Sequence, residues 1–304
     1  MSAVGVCGSD VHYYDHGRIG PYVVDRPLVL GHELSGVIVE VGSAVDPSRV
    51  GERVAVEPQR PCRSCVQCRS GRYNLCAEMR FYATPPIDGA FSEFAIIEED
   101  FAYAIPDSIS DEAAALIEPL SVAIAACRRA GIAPGHRVLI AGAGPIGVIT
   151  AQTARAFGAT EVYISDLVDE RLEFALRYGA TQAIVPGRDD TTDLNVDAFI
   201  DASGAPVAIR SGIRAVGAGG HAILVGLGND DIELPVSYIQ DREIWVSGVF
   251  RYVNTWPLAI ELVASGQVDL DALVTARFGL ADAEAALNET KLPRAMKVIV
   301  KPGL

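Results

Sequence analysis

The chain has 304 residues, of which 50% are hydrophobic and 21% are charged, and its formal net charge is -14. This length favours two domains over a single core, and the composition is typical of globular proteins. The negative charge disfavours nucleic acid as a partner, and no apolar run reaches the roughly 18 residues of a membrane span, because Glu118 and Pro119 break the most apolar stretch.

Short bursts of alternating apolar and polar residues predict a first domain that is mostly β. Residues 34–58 carry two such bursts, SGVIVEVG and GERVAVEP, separated by a turn-forming segment, and they indicate antiparallel strands. A cysteine-rich loop covers 61–79, and strand-like alternation returns over 90–105. We therefore expect β structure on both sides of the loop.

The pattern changes at Ser110, where Ser-Asp-Glu opens an apolar helical stretch that the Glu118-Pro119 step interrupts. Strand-like segments at Val138 and Val162 then flank a glycine turn and an alanine-rich helix. Further strands alternate with helical segments at Ala183, Ala198, Ala222 and Ile244. This alternation predicts an α/β domain with a parallel, doubly wound sheet.

A helical stretch after Trp256 leads to a short tail that ends in the strand-like AMKVIVK. This last strand is too isolated to fold alone, so we expect it to rejoin the first domain. The predicted domains are therefore a β-rich one over 1–119 and 254–304 and a doubly wound one over 120–253.

A dinucleotide-binding fingerprint follows the first strand of the second domain, with Ile146 inside it. Gly142 permits a tight turn, Gly144 lets the backbone approach a pyrophosphate, and Gly147 allows close helix–strand packing. Asp166 ends the next predicted strand about 20 residues later, where a carboxylate accepts both ribose hydroxyls and repels a 2′-phosphate. The motif therefore favours NAD over NADP, and a plain glycine turn is the alternative.

Two later segments follow the fifth and sixth predicted strands of this sheet. Ligands of such sheets bind at the carboxyl ends of the strands. From the residues alone, the two segments could equally be sheet core. They consist of Val225, Gly226 and Leu227, and of Val249, Phe250 and Arg251.

Four cysteines lie within one short loop, at Cys62, Cys65, Cys68 and Cys76. Four thiolates make a closed, tetrahedral zinc site of the structural kind, although an iron–sulfur cluster uses the same ligands and stays open as an alternative. The first ten residues show no pattern of a secretory signal, so crowded cysteines indicate a metal rather than disulfides. We expect a reducing, cytoplasmic location.

A second possible metal site is dispersed along the chain. Its members are Cys7 in VGVCGSDVH, the pair His32-Glu33 in LVLGHELSG, and Glu118. Mixed sulfur, nitrogen and oxygen ligands suit a catalytic zinc that keeps one position open. Taken singly, each residue is more simply a structural one.

These motifs together resemble the sorbitol and xylitol dehydrogenases of the zinc-containing medium-chain dehydrogenase/reductase family. The resemblance runs nearly end to end and rests on GVCGSDVHYYDHGRIG, LGHELSG, the four-cysteine loop, IEPLSVA, AGAGPIG and VFRYVNTWP. It implies a GroES-like β-rich catalytic domain joined to a Rossmann domain. It also implies a homotetramer.

The resemblance assigns roles to individual residues. The catalytic zinc is implied at Cys7, His32 and Glu33, with Glu118 as an alternate ligand or an anchor for water, and a structural zinc at the four cysteines. Which glutamate binds the catalytic zinc at rest stays open. The implied polyol pocket contains Tyr13, Glu118, Arg251 and Tyr252. The implied NAD contacts are Ile146, Asp166, Arg171, Val225, Gly226, Leu227, Val249, Phe250 and Arg251.

The implied reaction is the oxidation of a polyol at a secondary carbon to the ketose, with NAD as the hydride acceptor. Ser9 and His12 stand close to Cys7 and are candidates to relay the released proton, since an imidazole titrates near neutrality. The alternative is that His12 only packs. The remaining histidines are expected to be structural.

Other activities of the same family stay open, namely threonine, butanediol and sugar-acid 5-dehydrogenases. Family members also carry a few dozen residues before the equivalent of Ala3, including opening strands. We therefore expect uncovered strand edges and apolar surface in the first domain. From a different class of function, a truncated homologue that binds NAD without turnover is the rival hypothesis.

Overall fold

A computed structural model describes residues 1–228 and 231–304. Within them the chain forms two compact units: unit 1 is Met1–Pro119 with Trp256–Leu304, and unit 2 is Leu120–Thr255. The strands are β1 (Ala3–Gly5), β2 (Arg18–Ile19), β3 (Tyr22–Val23), β4 (Glu33–Val37), β5 (Arg53–Val56), β6 (Gln59–Arg60), β7 (Arg80–Phe81), β8 (Ala102–Ala104), β9 (Arg137–Ala141), β10 (Glu161–Ser165), β11 (Gln182–Ile184), β12 (Val196–Asp201), β13 (Val216–Leu224), β14 (Trp245–Gly248), β15 (Val274–Gly279) and β16 (Lys297–Lys301).

The helices are short or of moderate length. They are α1 (Gly8–His16), α2 (Val66–Arg69), α3 (Asp111–Ala115), α4 (Ile117–Arg129), α5 (Pro145–Ala156), α6 (Asp169–Arg177), α7 (Pro206–Arg214), α8 (Val236–Asp241), α9 (Trp256–Ala264) and α10 (Ala283–Glu289). Among the described residues, none of these helices combines the length and the apolar character that crossing a bilayer requires.

Unit 1 is built on a six-stranded sheet in the order β15-β16-β1-β4-β5-β8. All neighbours in it are antiparallel except β15 and β16. The C-terminal strand therefore rejoins the first strands, with Val300 opposite Val4. Because β16 lies beside β1, side chains from the two ends of the chain share one buried cluster that includes Val6, Val298 and Leu287.

The strand expected over 90–105 is largely wrong. Only β8 forms there, and 90–98 contains no strand in the part of the chain that the structure describes. Alternation gives a segment two faces, but a strand also needs a neighbouring strand for its backbone hydrogen bonds. The amides of Ala90 and Phe91 donate instead to the carbonyl oxygens of Gly31 and Leu30 in the loop before β4.

Apolar side chains of unit 1 line an open trough of about 550 Å³ beside the same segment. Val39 is 63% exposed there and Phe94 is 69% exposed, while Val54 and Ile97 form part of the lining. This surface of unit 1 is therefore apolar and open.

The interruption predicted at Glu118-Pro119 is found two residues earlier. Ser110 caps α3 by accepting a hydrogen bond from the amide of Ala113 at 2.9 Å. Leu116 separates α3 from α4, and Pro119 then occupies the first turn of α4, where no backbone N–H is needed for the helix.

Unit 2 is built on a parallel six-stranded sheet in the order β11-β10-β9-β12-β13-β14. Every neighbouring pair is parallel, which confirms the doubly wound sheet. Phe199 on β12 is fully buried in its core, with Ile213 from α7 and Ala222 from β13. The carboxyl ends of β9, β10, β12, β13 and β14 share one edge, where the dinucleotide motif lies.

Candidate metal and cofactor sites

A buried carboxylate fixes the turn that carries Cys7. Cys7 precedes α1, and its amide donates to Oδ2 of Asp10 at 2.9 Å. The other oxygen, Oδ1, accepts from the amide of Gly31 at 2.9 Å. Asp10 is fully buried, so it joins the start of α1 to the residue that precedes His32. The sequence motifs alone did not lead to Asp10 as a functional residue.

Cys7, His32 and Glu33 come together in unit 1. One ligand atom from each lies within 4.8 Å of the others, and both His32 and Glu33 are buried. Nδ1 of His32 lies 3.6 Å from Oδ1 of Asp10, which leaves Nε2 as the ring nitrogen for a ligand. Glu118 is buried in the first turn of α4 and lies outside this group of three.

Asp10 and His32 each stabilise the charged form of the other. Burial opposes the protonation of His32, but the facing charges of Asp10 and Cys7 outweigh it and raise the pKa of His32 well above its usual value. Burial would raise the pKa of Asp10, whereas His32 and the amides of Gly31 and Cys7 lower it. A metal that binds His32 must therefore displace a proton.

A fully buried lysine faces the same carboxylate. Nζ of Lys297, on β16, lies 2.6 Å from Oε1 and 2.5 Å from Oε2 of Glu33, and 3.1 Å from the carbonyl oxygen of Val6. Burial opposes the charge of Lys297, but Glu33, Cys7 and Glu118 together raise its pKa above the usual value. Lys297 is thus a charged partner of Glu33.

The donor set fits a divalent metal. Oε2 of Glu33 is buried and has no well-directed hydrogen bond among the described residues, despite its short contact with Lys297. A thiolate, an imidazole and a carboxylate are ligands that zinc accepts, and fewer than four protein ligands leave a position open. The cluster therefore has the composition of a catalytic zinc site.

Weak signals for the two missed residues were present in the sequence. Asp10 stands three positions after Cys7, where a helix-capping acid is common, and Lys297 interrupts the otherwise apolar end of the chain. Neither signal names the partner, because the Lys297 contact with Glu33 spans 264 positions.

The four cysteines of the loop also form one group. Their sulfurs lie within 4.8 Å of one another and all carry free thiols, with 3.5 Å between Cys65 and Cys68 and 3.9 Å between Cys62 and Cys68. The amide of Cys62 donates to Cys76 Sγ at 3.4 Å. Backbone hydrogen bonds, first from Ser64, lower the pKa of Cys62 to about 6. Closely spaced sulfurs with amide donors suit a tetrahedral metal and its thiolates.

The dinucleotide motif of unit 2 has the backbone geometry that its glycines predict. Gly142 has a φ of 95°, and a Cβ on Gly147 would lie 1.8 Å from the Gly142 carbonyl oxygen. Gly144 caps α5 and has open space around it. Asp166 follows β10 directly, and its Oδ2 accepts from the amide of Ala143 at 2.7 Å. These residues fit a pyrophosphate and a ribose.

The two strand-end segments also lie at this edge of unit 2. The amides of Val225 and Gly226 donate to the carbonyl oxygen of Asp201, and Leu227 is 70% exposed. Val249 directly follows β14. Arg251 has a φ of 56° and its guanidinium lies over the ring of Phe250.

The remaining site residues predicted from the sequence are divided between the units. In unit 1, α1 carries half-buried Ser9, exposed His12 and buried Tyr13, and His12 is close to His16, with ring centroids 4.6 Å apart. In unit 2, Arg171 lies on α6, Ile146 on α5, and Tyr252 is buried.

Two family profiles match the chain. One is described as an alcohol dehydrogenase GroES-like domain and covers residues 1–107, and the other as a zinc-binding dehydrogenase and covers residues 145–265. The first match contains strands β1 to β8 of unit 1, and the second contains strands β10 to β14 of unit 2.

Full-length relatives extend these matches. The chain is 45% identical to a sorbitol dehydrogenase of Bacillus subtilis, over 100% of this chain and 89% of that protein. It is 43% identical to a probable D-xylulose reductase A of Neosartorya fischeri, over 97% of this chain and 86% of that protein. The structure of L-idonate 5-dehydrogenase from Escherichia coli superposes with a TM-score of 0.93 at 30% identity, over 99% of this chain and 89% of that one.

Proposed function

This chain belongs to the zinc-containing medium-chain dehydrogenase/reductase family, and from that premise we propose that it oxidises a polyol at a secondary carbon to the ketose, with zinc and NAD as cofactors. The observation that carries the proposal is the group formed by Cys7 with the buried His32 and Glu33, in a chain that is 45% identical to a sorbitol dehydrogenase over its whole length. A silent homologue has no need to keep this group.

The residues of unit 1 hold the metal. Cys7, His32 and Glu33 are its ligands, and Asp10 orients the imidazole through Nδ1, as a carboxylate does in many metal sites. A bound Zn²⁺ supplies a Lewis acid that lowers the pKa of a nearby alcohol. Glu118 is the alternate ligand or an anchor for water, and the four cysteines hold a second, structural zinc.

Residues of α1 and of the segment after β14 transfer the proton and bind the polyol. Ser9 takes part in the proton path, and exposed His12 delivers the proton to solvent. Tyr13, Arg251 and Tyr252 supply hydroxyl and guanidinium groups that hydrogen-bond the other hydroxyls of the substrate.

The edge of the parallel sheet in unit 2 would hold NAD, which would supply the hydride acceptor. The amides at the start of α5 bind the pyrophosphate, and Asp166 binds the ribose hydroxyls. Arg171 and the segments 225–227 and 249–251 complete the cofactor site.

NADH formation tests the activity directly. The purified chain is incubated with NAD and sorbitol, xylitol, threonine, butanediol or a sugar acid, before and after chelation and after zinc is restored. We expect turnover with a polyol that chelation removes and zinc restores. Preferred turnover of threonine, butanediol or the sugar acid would replace the polyol, and bound zinc and NAD without turnover would favour the silent homologue.

Two cysteine variants make the test specific to the cluster. Cys7→Ala removes a ligand, and we expect it to abolish turnover. Cys127→Ala removes another cysteine of the chain, which is buried on α4 and belongs to neither group, and it serves as the matched control with turnover kept. Equal turnover of both variants would contradict a metal role for Cys7.

The same proposal includes a cytoplasmic homotetramer. The gathered free thiols suit a reducing compartment. The outer strand β14 carries Trp245, which is 69% exposed and offers an edge for a second copy.

A further inference from the structure

Gly5 makes room for the carboxylate of Glu33. The two residues are direct partners across β1 and β4. A Cβ on Gly5 would lie 2.0 Å from Oε2 of Glu33 and 3.1 Å from its Cδ. The φ of Gly5 is outside the left-handed region, so its backbone conformation is open to any residue. Glycine is therefore needed here for space.

Lys297 holds the same carboxylate from the C-terminal strand. Its Nζ contacts both oxygens of Glu33 and the carbonyl oxygen of Val6, and it is 3% exposed. An ammonium group in such a position needs a permanent negative partner, because an unpaired buried charge is costly. Lys297 thus gives Glu33, one ligand of the candidate metal site, a positively charged partner within the protein.

We propose that Gly5 and Lys297 form a carboxylate cradle that keeps Glu33 shared between the lysine and the metal, so that Lys297 limits how tightly the Cys7 site holds its metal. The inference rests on the proposed zinc site and concerns the positioning of one of its ligands. Its physical basis is that a fixed positive charge close to a divalent cation repels it and competes for the same carboxylate.

The cradle predicts opposite effects for its two members. Lys297→Met removes the competing charge, so we expect zinc to leave the Cys7 site at least about tenfold more slowly. Gly5→Ala places a methyl group against Oε2, so we expect release at least about tenfold faster. If Gly5 and Lys297 only support the local structure, both variants should release zinc faster than the original chain.

Release is measured on the zinc-loaded protein with a chromogenic chelator and no substrate. The phase that is missing in Cys7→Ala is the phase of this site, which separates it from the four-cysteine loop. Lys301→Met is the matched control, because Lys301 lies on the same strand but pairs with Glu112, and its release rate should stay unchanged. Lys297→Arg keeps the positive charge that competes for Glu33, so its release rate should stay close to that of the original chain.

A second readout uses the pH profile of kcat/KM with the polyol. Removing a positive charge disfavours deprotonation nearby, so we expect the acidic limb to move to higher pH in Lys297→Met and to stay in place in Lys301→Met. Lys297→Gln, which keeps a hydrogen-bond donor without the charge, replaces Lys297→Met if that variant does not fold.

The outcomes separate the two proposals. No release phase that depends on Cys7 would overturn the proposed zinc site itself. A Cys7-dependent phase that is as fast or faster in the uncharged Lys297 variants, or that is unchanged in Gly5→Ala, would overturn the cradle and leave the zinc site standing.

Discussion

Glu57 is a buried acid that lies outside both candidate metal groups. It follows β5, is fully buried, and its Oε1 accepts from Tyr73 at 2.7 Å and from Gln59 at 2.9 Å. Tyr103 donates to Oε2 at 3.3 Å. Burial, with a smaller contribution from the charge of Asp100, raises the pKa of Glu57 to about 7 against these hydrogen bonds.

A raised pKa makes the stability of the chain depend on pH. Between about pH 4.5 and pH 7 the folded state keeps a proton on Glu57 that the unfolded chain has lost, so stability falls as pH rises through this window and the loss is complete above it. We expect Glu57→Gln to match the original chain near pH 4.5 and to be more stable by about 3 kcal/mol at about pH 8.

Urea unfolding at both pH values, with the metal content held constant, checks this expectation. Glu40→Gln removes an exposed acid and is the matched control, which should follow the original chain at both pH values. Parallel pH dependence of Glu57→Gln and the original chain would show that Glu57 is ionised at no cost in the folded state.

At the level of single residues, prediction from sequence succeeded where the chemistry is local. The four cysteines are recognisable as a metal site from the sequence because they share one loop. Assigning Cys7, His32 and Glu33 to one site needed the family resemblance, since no spacing rule connects residues on different elements. Lys297 and Gly5 reach Glu33 only because β1 lies between β16 and β4, a neighbourhood that a one-dimensional pattern does not contain.

At the level of elements, one glutamate joins a helix to two strands of unit 1. Glu112 on α3 accepts from Arg277 on β15 at 2.6 Å and from Lys301 on β16 at 3.2 Å. These hydrogen bonds lower the pKa of Glu112 below its usual value. They connect the C-terminal strands to the helix that follows the first strands.

We expect Glu112→Gln to lower the free energy of unfolding by about 1.5 kcal/mol, because charge-assisted hydrogen bonds are lost while Arg277 remains half exposed to water. Glu289→Gln breaks the exposed pair with Arg294 at the end of α10 and should stay within about 0.5 kcal/mol of the original chain. Denaturant unfolding compares them. Equal losses would mean that the Glu112 network is no stronger than a surface pair.

The elements also explain which parts of the fold were predictable. The parallel strands of unit 2 are apolar runs bounded by turns and helices, so each of them could be predicted from the sequence. Segment 90–98 has comparable alternation but pairs with no strand among the described residues, and its pattern was therefore misleading. The break expected at Glu118-Pro119 lies at Leu116 instead, because proline is compatible with the first turn of α4.

At the scale of the whole molecule, β14 is the outer strand of the unit 2 sheet. Trp245 at its start is 69% exposed and contacts His221 of the neighbouring strand, with ring centroids 6.5 Å apart. A large exposed aromatic on an open edge favours pairing with another strand. A second copy presents the same edge, so two sheets joined along β14 would be related by a twofold axis.

Trp245→Lys tests this assembly, because a lysine on an edge strand opposes strand pairing. We expect the variant to form a smaller species than the original chain in light scattering at equal concentration, with an unchanged circular dichroism spectrum. Val207→Lys on α7 is the matched control, since Val207 is also 69% exposed but lies on a helix. An equal mass for both variants would exclude the β14 edge as the interface between copies. A decrease in mass confined to Trp245→Lys would show that this edge, and not exposed apolar surface in general, holds the copies together.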